Sequence, residues 1–426
     1  MKTLTQNMLA TAVAALFIAP AAFATNGTNM TGVGAQSVAL GGTGVAAYYG
    51  AENVIVNPAL IGKGTGTEFA FGGTLFKPNV NNNGLGGGAD TTSSGDTYVI
   101  PSISLSSRIN NSLSFGIGMY GTSGMGVDYG NEKAANKAGL FQAMTSLQIM
   151  RIVPTIAYNT ANAGIGFSPI IQYGALDINY VTPPSFGNQR VGAGMASDLG
   201  FGFSLGGYYD ITKQFTVAAA YTSAIDMKYR DQLSTASSPF VGQTLQSGFA
   251  DQLEQPAEVK IGAAYTMGNI MLTGDFKQIR WGEAKGYKDF GWEDQNVIAL
   301  GLKYSGKGYW IGAGFNKADN PIKKFSGTPA AMTPQAIGSA AEGATKNMFN
   351  NIFFPATTES HFSVGGGYDI TKNVTLEGAI MYAPEVTSTV DTTMLTSNPA
   401  TMTINPSTNT TKHSQMAYTI QAKYKF

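Results

Sequence analysis

The last nine residues of the chain alternate strictly between apolar and polar side chains. The apolar positions are Tyr418, Ile420, Ala422, Tyr424 and Phe426. The polar positions between them are Thr419, Gln421, Lys423 and Lys425. A period of two predicts a β-strand whose two faces meet different environments, because successive side chains of a strand point to opposite sides. The pattern recurs at 259–261 and 374–377, which indicates an all-β fold.

Fourteen segments with this alternation follow one another after residue 66. They are centred near residues 72, 102, 117, 152, 170, 204, 220, 261, 275, 298, 312, 364, 380 and 420. Many exceed the five or six residues of an average soluble strand and are long enough to cross a bilayer. Long and tight connections alternate along the chain, as they do between the outer loops and periplasmic turns of membrane barrels. Residues 67–426 are therefore predicted to form a fourteen-stranded antiparallel transmembrane β-barrel.

The composition agrees with a chain whose surface meets something other than water. Charged residues make up only 12%, and there are 54 glycines. Aromatic residues near the strand ends, such as Tyr265, Tyr304 and Tyr382, are typical of an interfacial girdle. The net charge of zero gives no support for a nucleic-acid partner. The absence of cysteine excludes disulfides, thiolate metal sites and cysteine catalysis.

The first 24 residues have the pattern of a secretory signal peptide. Lys2 is followed by an apolar run over 8–19, and Ala22-Phe23-Ala24 is a cleavage site of the A-x-A type. The mature chain is then expected to begin at Thr25 and to reside in the outer membrane of a Gram-negative bacterium. Outer-membrane lipid and lipopolysaccharide would surround it. The terminal Phe426 resembles the signal that the barrel assembly machinery reads.

Residues 25–66 do not alternate and are predicted to be a plug, or hatch, inside the barrel. The segment is rich in Gly and Ala, and Asn57-Pro58 interrupts its apolar run 53–61. A barrel of fourteen strands is too wide for its own side chains to fill. Irregular backbone is tolerated at membrane depth where it contacts protein instead of lipid.

Four basic residues are candidates for binding a ligand carboxylate inside the barrel. Alternation places Lys260, Lys277 and Lys303 on inward faces, and Arg151 is a further candidate. A buried cation beside an apolar pocket suits a carboxylate. The alternative is ordinary ion pairing in a polar lumen, for instance between Lys277 and Asp275.

Two long loops carry apolar side chains with helical spacing. In 134–147 these are Ala134, Ala138, Leu140, Phe141, Met144 and Leu147; in 241–253 they are Val241, Leu245, Phe249 and Leu253. Leu140, Phe141, Met144, Leu245, Phe249 and Leu253 are the candidates for capturing a hydrophobic ligand. The alternative is that these loops pack on one another and close the top of the barrel.

Catalytic chemistry has little support in the sequence. His361 and His413 are the two histidines, and no serine-hydrolase motif surrounds either of them. Two histidines alone are also too few for a recognisable metal site. We therefore expect no enzyme activity, no cofactor and no metal.

Several stretches resemble the FadL family of outer-membrane transporters for hydrophobic compounds, which includes a toluene-porter branch. They are Gly32–Ser37, Asn57–Leu60, Gly124–Tyr129, Gln255–Glu258, Asp275–Lys277, Trp281-Gly282, Asp294–Gly301 and Asp319–Ile322. The resemblance implies a monomeric barrel with an N-terminal hatch, in which Asn57-Pro58-Ala59 lies in the lumen. It also implies loop capture, binding inside the barrel, hatch rearrangement and sideways exit at a kinked third strand. Gly118, Gly121 and Gly124 fall where that kink would lie.

The chain departs from the family in the loop after the fifth strand. This loop, about residues 180–197, is short and contains Pro183-Pro184, where fatty-acid transporters have a longer, partly helical loop. The predicted function is outer-membrane transport of hydrophobic molecules, with long-chain fatty acids first and aromatic or alkane hydrocarbons second. Three competing hypotheses are a general porin for polar solutes, a surface adhesin or receptor, and a barrel lipase that uses His361 or His413.

Overall fold

The computed structural model describes residues 25–130, 139–182, 187–397 and 403–426. The predicted signal peptide lies outside these residues. So do Ala134 and Ala138 of the first apolar loop and Pro183-Pro184 of the short loop.

Fourteen long strands form one closed antiparallel barrel. Their bounds are β1 (Thr67–Asn82), β2 (Tyr98–Arg108), β3 (Leu113–Asp128), β4 (Met144–Asn159), β5 (Ala163–Val181), β6 (Ala196–Asp210), β7 (Phe215–Thr222), β8 (Glu258–Met267), β9 (Ile270–Ile279), β10 (Gln295–Gly306), β11 (Tyr309–Ala318), β12 (Ser360–Asp369), β13 (Val374–Asp391) and β14 (Thr408–Lys425). Each strand pairs with the next, and β14 pairs with β1 from Lys425↔Glu68 to Thr411↔Asn82. All fourteen predicted strand centres fall within these strands, so the predicted fold is confirmed.

The helices lie in the segments that precede or connect the strands. The α-helices are α1 (Ala35–Ala39), α2 (Asn53–Val56), α3 (Leu233–Ser237), α4 (Pro334–Met348) and α5 (Thr393–Thr396). Helical turns of other types span Pro58–Lys63, Ser238–Phe240, Tyr287–Phe290 and Phe349–Phe353. Across the residues that the structure describes, no helix has the length and apolar character needed to cross a membrane.

The two faces of the wall differ as the alternation predicts. Outward-facing apolar side chains are exposed on the isolated chain, for example Phe201 at 71% and Ile420 at 65%. Closure of the barrel satisfies the ladder hydrogen bonds that lipid cannot satisfy. Exposed aromatic rings lie near the periplasmic turns, including Tyr158, Tyr209, Tyr265, Tyr304, Tyr309, Tyr368, Tyr424 and Phe426.

Three long loops close the outer end of the barrel, and we call them together the outer cap: residues 223–257, 280–294 and 319–359. Their buried aromatic residues form one cluster around Phe349, whose ring centroid lies 5.6 Å from that of Phe240 and 5.5 Å from that of Phe249. The helical spacing seen in the sequence does not produce helices there. In the described part of 134–147, Met144 and Leu147 belong to β4, and 241–253 has no helix.

Residues 25–66, the N-terminal segment, lie inside the barrel. Most are buried, and they bond to inward-facing side chains from strands on several sides of the wall. Close approach depends on glycine at both surfaces. A Cβ atom on Gly314 of β11 would overlap the backbone of Leu40 and Gly41. Gly41 itself has a φ of +73°, a conformation that other residues rarely adopt.

Candidate functional site

An ionic cluster fixes the N-terminal segment to β13 and β14. The carboxylate of Glu52, which follows the tight turn before α2, lies 2.7 Å from the ammonium of Lys423. Glu377 of β13 lies 3.1 Å from the same ammonium. Lys423 also donates to the backbone oxygen of Tyr49. All three charged side chains are at most 5% exposed, so this contact is held in a medium that screens it poorly.

The opposite side of the segment is held by backbone contacts. Asp275 of β9 accepts hydrogen bonds from the N–H groups of Gly44 at 2.7 Å and Val45 at 3.0 Å. Asn57 donates to the Val45 carbonyl at 2.7 Å and accepts from the N–H of Ala59 at 3.1 Å. Asn57 therefore caps the Pro58–Lys63 turn in the lumen. Asn57-Pro58-Ala59 lies so close to Gly166 and Gly206 of the wall that only glycine fits at those two positions.

Burial raises the pKa of Glu52 to about 7 from 4.5, despite the attraction of Lys423, while Glu377 and Glu68 raise the pKa further. Between pH 4.5 and about 7, Glu52 is protonated when the segment is docked and ionised when the segment is undocked. Docking should therefore weaken as pH rises from 5 to 7, by at most about tenfold per pH unit. Hydrogen exchange of residues 44–60, corrected for the intrinsic effect of pH, measures this.

The Glu52→Gln variant is the control for that pH dependence. It keeps the shape of the side chain but cannot ionise, so exchange in 44–60 should become flat over the same range. An equal pH dependence in the variant and the parent would show that another group is responsible.

Three cations converge on one cavity between the N-terminal segment and the wall. Arg151 comes from β4, Lys260 from β8 and Lys277 from β9, and Glu258 is the one carboxylate in the lining. The cavity measures about 60 Å³, and Thr31, Val45, Ile55 and Val56 of the segment complete it. Arg151 and Lys260 are buried, and Lys277 is half-buried.

The partners of these cations leave positive charge available. Lys260 lies 2.9 Å from Glu258, and Arg151 donates to the amide oxygen of Gln172 at 2.8 Å. Within the described ranges, the side-chain ammonium of Lys277 has neither an ion pair nor a hydrogen bond. Asp275, the expected partner of Lys277, instead binds the segment backbone. We call this site, formed by Arg151, Glu258, Lys260 and Lys277, the cation cavity.

The fourth predicted cation lies elsewhere. Lys303 of β10 points inward but donates to Gln36 at 2.8 Å and lies over the ring of Trp310 at 5.6 Å. It does not line the cation cavity. Lys303 therefore belongs to the contacts that hold α1.

Apolar side chains lie directly outward of the cation cavity. Ile149 and Leu147 are the next inward positions of β4 beyond Arg151, and both are buried in the cluster of the outer cap. Ile55 of the segment packs against the same cluster. The cavity thus has basic side chains at its base and apolar side chains on its outer side. We call these apolar side chains, which belong to the cluster of the outer cap, the apolar roof.

Most of the candidate capture residues are inside that roof. Leu140, Phe141, Leu245, Phe249 and Leu253 are buried, and Met144 is half-buried. The five buried residues are not exposed in this conformation, and their role in capturing a ligand stays a prediction. Their burial corresponds to the alternative, in which the loops pack on one another.

The third strand has a register shift, of the kind that bends a strand, within the stretch 118–124 where the kink is predicted. β3 pairs with β2 only as far as Tyr120↔Ser102, and its register against β4 shifts between Gly121 and Ser123. Beyond this bulge, residues 121–127 are buried on both faces. In the described chain, none of them pairs with β2, and Ser123 pairs instead with Asn29 of the N-terminal segment, which leaves a break in the β2–β3 ladder of the wall.

The N-terminal segment contacts β3 at this break. The N–H of Gly124 donates to the Thr28 carbonyl at 3.0 Å, and the Ser123 hydroxyl donates to the Asn29 side chain. Asn29 also donates to Glu258 at 2.9 Å. Glu258 and Asn29 were not predicted as site residues, because Asn29 lies in a segment without alternation and its contact with Glu258 forms only through the lumen.

The two histidines lie on β12 and β14. Both are buried, and His413 bonds to the Pro355 carbonyl at 2.7 Å and contacts the Gln415 amide at 3.1 Å. Its hydrogen-bond partners are therefore not serines, and among the described residues no serine bonds to the ring of His361 either. This geometry does not support the lipase hypothesis.

A closed barrel with an apolar outer band is the architecture of an integral outer-membrane protein. The family described as outer membrane protein transport protein (OMPP1/FadL/TodX) matches residues 11–329. The chain belongs to this family. It is therefore an outer-membrane protein of a family that transports hydrophobic compounds, and the family is one of transporters and not of enzymes.

Solved structures share the fold at low identity. The toluene transporter TodX of Pseudomonas putida has a TM-score of 0.67 and 18% identity, covering 94% of this chain and 100% of that one. A FadL homologue from Pseudomonas aeruginosa has a TM-score of 0.68 and 12% identity, with coverage of 94% and 100%. The toluene transporter TbuX of Ralstonia pickettii has a TM-score of 0.64 and 16% identity, with coverage of 93% and 99%.

A curated relative from Chlorobium limicola is an uncharacterised protein in the 5′ region of a phosphoenolpyruvate carboxykinase gene. It is 43% identical over 88 residues, which are 20% of this chain and 43% of that protein. The match thus spans less than half of the relative.

Proposed function

We propose that the protein carries hydrophobic carboxylates, with long-chain fatty acids as the substrate class, across the outer membrane. The observation that supports this is the cation cavity, in which three cations face one carboxylate beneath an apolar roof. An uncompensated buried cation is unfavourable, and a ligand carboxylate would satisfy it with charge-assisted hydrogen bonds. The alkyl chain would extend outward into the apolar side chains of the outer cap.

The route that we propose has four steps. The outer cap opens and captures the ligand, and the carboxylate then reaches the cation cavity. The N-terminal segment acts as a hatch and moves away from β3. The ligand leaves sideways through the break beside 121–127, because a fatty ligand gains nothing by crossing water. We also propose that the protein works as a monomer.

Aromatic hydrocarbons are the second candidate substrate class. Two of the structures that share the fold are toluene transporters. Three aromatic rings also pack together at steep angles, and one of them, Trp281, lies against Gly27 of the N-terminal segment. The rings of Trp281, Tyr287 and Trp292 have centroids 4.6 to 5.0 Å apart. A hydrocarbon has no charge, so it would form no ion pair in the cation cavity.

Binding of labelled oleate and toluene to the purified protein in detergent separates the two classes. We expect saturable oleate binding, weakened roughly tenfold to hundredfold by Lys277→Met, because a hydrogen bond to a charged group contributes about 1.5–3 kcal/mol. Lys303→Met is the matched control: it removes an inward lysine outside the cavity and should leave oleate affinity unchanged.

Different outcomes would favour a different function. Binding of both ligands irrespective of Lys277 would indicate a hydrocarbon porter. Saturable binding of neither ligand, with large steady conductance in a planar bilayer, would indicate a general porin.

A further inference from the structure

Glu258 is the one carboxylate in the lining of the cation cavity. One of its carboxylate oxygens lies 2.9 Å from the ammonium of Lys260. The other oxygen accepts from the side-chain amide of Asn29 at 2.9 Å. One acidic side chain thus contacts both Lys260 of the barrel wall and Asn29 of the N-terminal segment.

Asn29 extends this contact to the kinked strand. Its amide nitrogen donates to Glu258, and its amide oxygen accepts from the Ser123 hydroxyl. Thr28, the preceding residue, accepts through its carbonyl from the N–H of Gly124 and from the Ser123 hydroxyl. A continuous chain of polar contacts therefore runs from Lys260 through Glu258 and Asn29 to the break in the wall.

We infer that Glu258 is a resident counter-ion that the ligand carboxylate displaces, and that its displacement releases Asn29 from the kinked strand. This inference rests on the proposed function. Two carboxylates in a cavity of about 60 Å³ repel each other, so the ligand and Glu258 compete for the same cations. When Glu258 withdraws, Asn29 loses the partner that orients its amide toward Ser123.

The consequence is that filling the cavity and opening the exit are coupled. A charged ligand weakens the contact between 28–29 and 123–124, whereas a neutral ligand of the same length does not. Linkage is reciprocal: weakening the resident counter-ion should strengthen ligand binding. Glu258 therefore lowers the affinity for a carboxylate ligand, and it keeps the exit closed until such a ligand displaces it.

The test compares oleate with oleyl alcohol, which has the same chain without the charge. Hydrogen exchange of the peptide over 121–127 reports the Gly124 N–H, which the N-terminal segment protects. Oleate should speed this exchange about tenfold, and oleyl alcohol should leave it unchanged. The N–H of Ala51, held by Glu68 at 2.8 Å and outside the cavity lining, is the internal control and should not respond.

Glu258→Gln keeps the size of the side chain and removes its charge. This variant should bind oleate about tenfold more tightly, bind oleyl alcohol as before, and lose the oleate effect at Gly124. Asn29→Ala breaks the relay without changing the charge of the cavity, so it should bind oleate yet show no oleate effect at Gly124. The Asn29→Ala variant therefore still tests the inference if Glu258→Gln folds poorly.

The outcomes separate this inference from the proposed function. If oleate binds saturably but leaves Gly124 exchange unchanged, and Glu258→Gln has the parent affinity, the counter-ion role is overturned and the proposed function stands. If the parent protein does not bind oleate, the proposed function itself fails.

Discussion

Replacing Lys423 with methionine is expected to release the N-terminal segment from the barrel wall. The variant leaves Glu52 and Glu377 buried at 1% exposure without the cation that lies between them. Removing one partner of a buried ion pair costs about 3–5 kcal/mol, because the remaining charge is desolvated and uncompensated. Amide exchange in 44–60 should accelerate on the order of hundredfold or more, which mass spectrometry can measure.

Lys425 provides the matched control two residues further along β14. Its side chain is 64% exposed, and its ammonium lies 3.9 Å from Glu68. Exposed pairs contribute about 0–1 kcal/mol, so Lys425→Met should leave the exchange nearly unchanged. If the two lysine variants gave the same exchange, the ionic cluster would not be what holds the segment.

The strands were predictable because a membrane leaves the backbone few solutions. Lipid cannot satisfy an unpaired N–H or C=O group, so the chain must form closed ladders whose outward positions are apolar. That requirement makes the alternation regular enough to read at residues 418–426. The same alternation assigns Lys260, Lys277 and Lys303 to the inward faces, where the structure places them.

The contacts inside the barrel were not predictable in the same way. Alternation says that Lys277 and Lys303 both face inward, but their partners depend on the path of the N-terminal segment. Lys303 meets Gln36, whereas Lys277 faces a cavity. Glu258 lies at the first position of β8, where the alternating pattern has barely begun.

The outer cap shows how tertiary packing overrides local spacing. Val241, Leu245, Phe249 and Leu253 recur every four residues, yet 241–253 forms no helix. The rings of Phe249 and Phe290 lie 4.3 Å apart, so the burial of aromatic side chains between loops decides the backbone. Regular spacing predicts an apolar face of a helix, but it does not identify the residues that pack against that face.

Replacing Gly314 with alanine is expected to prevent the N-terminal segment from seating in the lumen. A Cβ atom at this inward position of β11 would overlap backbone atoms of Leu40 and Gly41, which cannot move aside as a flexible side chain can. Gly41 is already held by a hydrogen bond to Ser363 at 3.0 Å. The displaced segment should leave the barrel conducting, so planar-bilayer recordings should show steady conductance that the parent lacks.

Gly274→Ala is the control, because this residue of β9 lies on the outward face. A Cβ atom there meets Leu300 at 3.4 Å, an ordinary van der Waals distance, and leaves the lumen unaltered. It should therefore keep the parent conductance. A Gly314→Ala barrel that folds and stays closed would mean that the segment can shift without opening a path. Closure of the exit would then depend on the contact between 28–29 and 123–124 alone.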